Sequence, residues 1–220
     1  AENAYAEALM KHTEPLQEKL YGEMVGRIKQ TDMSVPSFDN GYWYYTRYET
    51  GKDYPIYCRK AKTLKAREEV LLDGNKMAAG HAYFRIGGTS VSPDNAVLAY
   101  GVDTVSRRQY KLHFKNLKNS KLYPEVLTMT AGFAVWAADS RTVFYPVIDE
   151  SLRLYKICRH VLGTPAEQDV VVFHEKDETF SVSVNESRSR KYIFLASNST
   201  LTSEVRYLEA ARPSGEFVVF

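Results

Sequence analysis

The sequence predicts a mainly β protein: a helical arm followed by about four β-propeller blades, stacked side by side and not closed into a ring. Three observations carry this. Residues 3–30 place apolar side chains at helical spacing, the chain beyond residue 38 breaks into short β-branched and aromatic runs, and those runs recur every ~45 residues.

In the arm, Tyr5 and Leu9 share one helical face, and Leu16, Leu20, Met24 and Ile28 follow at intervals of four. Pro15 is tolerated in a first helical turn but not in a helix interior, so its position after Thr13 and Glu14 predicts two helices with a break near residue 13. Thr31–Phe38, with Pro36, reads as a linker, which sets the arm and linker at 1–38.

The strand-like runs include Tyr42–Tyr45, Val97–Tyr100, Val143–Tyr145 and Tyr192–Leu195, separated by Asp, Asn, Ser and Gly. The 16 Tyr and 10 Phe suit a pleated, half-buried surface. The repeat is anchored on Asp39, Asp94, Asp139 and Glu186, which stand 55, 45 and 47 residues apart. Six residues after each anchor comes Tyr45, Tyr100, Tyr145 or Tyr192, and nineteen after comes Cys58, His113, Cys158 or Val205. The period is that of a propeller blade, whose sheet can bury its faces only against its neighbours. The expected blades are 39–90, 91–134, 135–181 and 182–220, with Met77–Gly88 as an inserted loop. The anchor acids read as turn residues whose carboxylates accept from backbone N–H groups.

Cys58 and Cys158 fall at the same repeat position, which marks a buried strand site and not a redox or metal role. They form no C-x-x-C pair, and the first residues offer neither a basic nor an apolar leader region. Both point to the cytoplasm, with the periplasm as the alternative. A formal net charge of +2 without a basic block gives no footprint for nucleic acid, and no run is apolar enough for a membrane span.

The search for chemistry assigns no catalytic, cofactor-binding or metal-binding residue. The nearest approach to G-x-S-x-G is Gly88-Thr89-Ser90-Val91-Ser92, with serine where the second glycine belongs. His12, His81, His113, His160 and His174 are dispersed, with no H-E-x-x-H, so packing and surface roles are expected for them. Gly87-Gly88 lacks the lysine of a phosphate loop, and Glu68-Glu69 and Asp149-Glu150 read as solvated charge.

Particular strings go further. Ile28-Lys29-Gln30-Thr31-Asp32, Gly41-Tyr42-Trp43-Tyr44-Tyr45-Thr46-Arg47 and Tyr54-Pro55-Ile56-Tyr57-Cys58-Arg59 resemble the opening of the oligopeptidase B branch of the prolyl oligopeptidase family. The likeness continues through Val91-Ser92-Pro93-Asp94, Leu98-Ala99-Tyr100-Gly101-Val102-Asp103 and Trp136-Ala137-Ala138-Asp139-Ser140-Arg141. The resemblance implies a serine peptidase in which a seven-bladed propeller caps a C-terminal α/β-hydrolase domain that holds the Ser-Asp-His triad. It also implies cleavage of short peptides after Lys or Arg. No position here matches a family catalytic residue. The chain is therefore expected to be an inactive N-terminal fragment of an active parent, without cofactors, whose partners are that hydrolase domain and peptide substrates. Its bare outer sheet faces are expected to associate with a second copy, or to be covered by the arm around Leu16, Leu20 and Met24. The alternative is a free-standing propeller-like module that binds a protein through its loops.

Overall fold

The computed structural model describes residues 2–220. The arm is two helices, α1 (Glu2–Met10) and α2 (Glu14–Gly26), joined by a 3-10 turn at Lys11–Thr13, with Pro15 in the first turn of α2. Its apolar stripe is not buried: Leu16 is 56% exposed, Leu20 46% and Met24 59%, so the expected cover for the outer sheet faces is not supplied by the arm. The linker runs beside the first sheet instead, with the Ser34 amide donating to the Thr46 carbonyl and the Tyr48 amide to the Asp32 carbonyl.

Four antiparallel meanders follow. The first contains β1 (Ser37–Asp39), β2 (Tyr42–Arg47), β3 (Ile56–Ala61) and β4 (Glu68–Asp73). The second contains β5 (Arg85–Val91), β6 (Val97–Asp103), β7 (Tyr110–Asn116) and β8 (Leu127–Thr130). The third contains β9 (Val135–Trp136), β10 (Thr142–Ile148), β11 (Leu154–Val161) and β12 (Val170–His174), and the fourth β13 (Ser181–Glu186), β14 (Tyr192–Asn198), β15 (Ser203–Glu209) and β16 (Val218–Val219). A bridge between Val147 and Thr130 ties the second meander to the third. Elsewhere neighbouring sheets meet mainly through side chains, with one further backbone bond from the Ala138 amide of the third to the Ala210 carbonyl of the fourth. Tyr44 and Tyr57 pack against Leu98 and Tyr100, Phe114 and Leu112 against Val143 and Tyr145, and Phe144 and Ile157 against Val184 and Leu195. The sheets are not closed into a ring.

Backbone pairing tests the repeat. Tyr45 faces Cys58, Tyr100 faces His113 and Tyr145 faces Cys158 across the second and third strands of their sheets, so these three pairs are equivalent. The fourth pair is not. Tyr192 faces Glu209 at the head of β14 and is 37% exposed, whereas the fourth position of that strand is Leu195, fully buried and paired with Arg206. The tight turn before each second strand explains the slip. Ser92–Val97, Ala137–Thr142 and Ser187–Tyr192 close with the same backbone bonds, and Asn95, Ser140 and Arg190 hold the positive-φ corner. The residue before that corner is Asp94, Asp139 and then Ser189, so the fourth anchor is Ser189 and not Glu186. An acidic residue three positions too early mimicked the period.

The segment Met77–Gly88 is also not a loop throughout. Asp73 caps α3 (Gly74–Ala78) by accepting from the Asn75 and Lys76 amides, and Arg85–Gly88 already belongs to β5. The second sheet thus begins at Arg85, before the expected boundary at 91. The glycines serve close packing: a Cβ at Gly88 would lie 2.5 Å from that of Phe133, and one at Gly101 2.3 Å from the Gly132 carbonyl oxygen.

Candidate functional site

Asp39 of β1, Ser90 of β5, Trp136 of β9 and Glu186 of β13 line one cavity of about 330 Å³, with Tyr44 and Arg190. The first strand of every sheet therefore borders a common central space, as the inner strands of a propeller do. Its polar wall has one basic and two acidic side chains. Arg190, at the positive-φ corner of the fourth turn, donates to both carboxylate oxygens of Asp39, and its Nε lies 3.7 Å from Glu186 Oε2. Burial pushes the Glu186 carboxyl above its ordinary range, Arg190 opposes that and Asp39 reinforces it. The Trp136 indole donates to the Ser90 carbonyl at 3.1 Å. Beside the cavity the buried Arg59 guanidinium donates to Glu69 at 2.8 Å and lies 4.0 Å over the Tyr42 ring.

The anchor acids divide into two kinds. Asp94 accepts from the Ala96 amide and Asp139 from the amides of Arg141 and Thr142, as turn residues should. Asp39 and Glu186 instead meet Arg190, an association across 151 residues that no spacing rule discloses. The serines of the near-miss motif are structural: Ser90 lies within β5, and Ser92 Oγ donates to Asp94 and accepts from the Val97 amide.

A second polar cluster lies between the second and third sheets. His160 is fully buried and stacked on Phe114, with Nδ1 2.6 Å from Asp169 Oδ1 and Nε2 3.9 Å from Glu125 Oε1. Tyr145 donates to the other Asp169 oxygen at 2.7 Å, and Glu125 accepts from the Gly163 amide. The His–Asp contact has the form of a base and its orienting acid, but no serine hydroxyl is bonded to that histidine among the described residues. The cluster joins the second and third sheets. Its counterpart in the first sheet is Tyr45 donating to Glu68, with Arg47 on the same carboxylate. There burial pushes the Cys58 thiol up to about 11, with Glu68 reinforcing it, which favours the protonated thiol at neutral pH. A signal for these clusters was present in the sequence: an acid, Glu68, Glu125 or Asp169, follows each aligned tyrosine by 23, 25 and 24 residues. Among the described residues no group of three or more His, Cys, Asp and Glu side chains is placed to hold a metal ion, and no helix is long and apolar enough to cross a membrane.

Comparison with known proteins adds to this geometry. Residues 1–220 match the family described as prolyl oligopeptidase, N-terminal beta-propeller domain. The chain is 44% identical to dipeptidyl aminopeptidase BI of Pseudoxanthomonas mexicana over 100% of its own length and 32% of that protein. It is 32% identical to protease 2 of Moraxella lacunata, over 96% of this chain and 32% of the relative. Oligopeptidase B from Leishmania major superposes with a TM-score of 0.91 at 30% identity, covering 98% of this chain and 31% of that one. Oligopeptidase B from Trypanosoma brucei with covalently bound antipain gives 0.88 at 30% identity, with the same coverage. The chain thus spans about a third of the length of the relatives it matches.

Proposed function

Because the chain belongs to the prolyl oligopeptidase family, whose N-terminal β-propeller domain it matches from end to end, we propose that it is the access-limiting part of a longer serine oligopeptidase. In this reading an α/β-hydrolase domain elsewhere in the same chain carries the triad, and the propeller admits only short, flexible peptides to it. The observation that carries the proposal is the central cavity bordered by the first strand of all four sheets. The exposed stripe of Leu16, Leu20 and Met24 gives the arm an apolar face to lay on the hydrolase domain. Two buried, unpaired cysteines suit a reducing compartment, and the cytoplasm is part of the reading.

Cleavage after Lys or Arg is supported by the resemblance to oligopeptidase B. The higher identity to a relative named dipeptidyl aminopeptidase favours a second reading, in which the same propeller admits peptides from which dipeptides are removed. Incubating the full natural chain with a peptide bearing one internal arginine separates the two, since mass spectrometry distinguishes a cut after that arginine from stepwise loss of dipeptides. Labelling by a serine-directed phosphonate is expected in the full chain and not in residues 1–220 alone. A full chain that neither cleaves nor labels overturns the peptidase reading and leaves the free-standing binding module.

A further inference from the structure

The turns between the first and second strands lie at one end of the central cavity and are tied in sequence around it. Asn40 of the first turn donates to the Pro93 carbonyl of the second at 2.7 Å, and the Asp94 amide of the second donates to Ser140 Oγ of the third at 3.1 Å. From the third, the Ala138 amide bonds the Ala210 carbonyl, and the Ala210 amide bonds Lys191 of the fourth. Arg190 then reaches from the fourth turn to Asp39 at the first. That last tie differs in kind. It joins sheets that are not neighbours, it rests on side chains alone, and these are exposed (Arg190 37%, Asp39 58%).

We propose that the Asp39–Arg190 ion pair is a latch across one mouth of the central cavity, setting the length of peptide admitted there; this rests on the access-limiting reading above. The latch has two resting places for one guanidinium. Released from Asp39, Arg190 stays beside Glu186 of its own sheet, 3.7 Å away, so the guanidinium keeps a counter-charge while the exposed Asp39 carboxylate passes to water. An exposed pair of this kind is weak, which a gate used at every turnover requires.

The test uses the full natural chain with Asp39→Asn or Arg190→Gln. The ratio of kcat/KM for a long peptide to that for a dipeptide amide is expected to rise about two- to fivefold in either variant, the range that an exposed ion pair supports. Exchanging the charges, Asp39→Arg with Arg190→Asp, is expected to return the ratio toward its original value. Independently of activity, amide hydrogen exchange in 39–42 and 187–191 is expected to accelerate in the single variants. An unchanged ratio with normal turnover of the short amide overturns the latch. If the unmodified chain hydrolyses neither substrate, the peptidase reading fails instead, and unchanged exchange at the two turns then overturns the latch by itself.

Discussion

Leu195 and Tyr192 are three residues apart on one strand, and only one of them is in the core. Leu195 is fully buried among Val135, Phe144 and Ile157, while Tyr192 stands at the strand head against Tyr207. Truncating a buried leucine removes its transfer free energy and leaves a cavity, so Leu195→Ala is expected to cost about 2–5 kcal/mol. Tyr192→Ala is expected to cost about 1 kcal/mol or less, the loss of one half-exposed edge-to-face contact. Urea denaturation of both variants measures the difference. Equal losses would restore the tyrosine register and remove Ser189 as the fourth anchor. The buried acids make a related point: Asp169 is held by Tyr145 and Glu125 by the Gly163 amide, 24 and 38 residues away, so their roles follow from pairing and not from neighbours in sequence.

At the level of elements, β6 depends on Gly101. Any Cβ there would meet the Gly132 backbone at 2.3 Å, and the crossing segment is pinned by the Gly132 amide on Thr130 Oγ1. Gly101→Ala is therefore expected to destabilise by about 1–3 kcal/mol as an overpacking change, whereas Gly22→Ala, in α2 with nothing within 4 Å, should stabilise by about 0.5–1 kcal/mol. Thermal denaturation of the pair decides; a harmless Gly101→Ala would mean that β6 and the 131–133 crossing can part freely. The same positions show what the sequence could and could not disclose. The two helices, their break near residue 13 and three of four tyrosine registers were legible, because each depends on local spacing or on a period. α3 was hidden because its five residues are too few to show a period and its identity rests on the Asp73 cap. The central cavity was hidden because its lining residues come from all four sheets, from positions as far apart in sequence as Asp39 and Arg190.

For the molecule as a whole, the outer face of the fourth sheet decides behaviour in solution. Phe220 is 84% exposed and Val219 59%, and with Tyr192, Phe194 and Tyr207 they form an apolar hollow that no other sheet among the described residues covers. Residues 1–220 alone are expected to self-associate through this face, and Phe194→Ser with Phe220→Ser is expected to shift sedimentation toward the monomer. A wild-type chain that sediments as a monomer at every concentration would show the face to be tolerated in water. The Val147–Thr130 bridge adds a mechanical asymmetry. The second and third sheets share this bridge and the bond from the Ala131 amide to the Pro146 carbonyl, the third and fourth share the single backbone bond from Ala138 to Ala210, and the first and second are joined, among the described residues, only by contacts that involve side chains. Under tension or partial unfolding the first sheet would therefore part soonest, while the second and third stay together as one eight-stranded body.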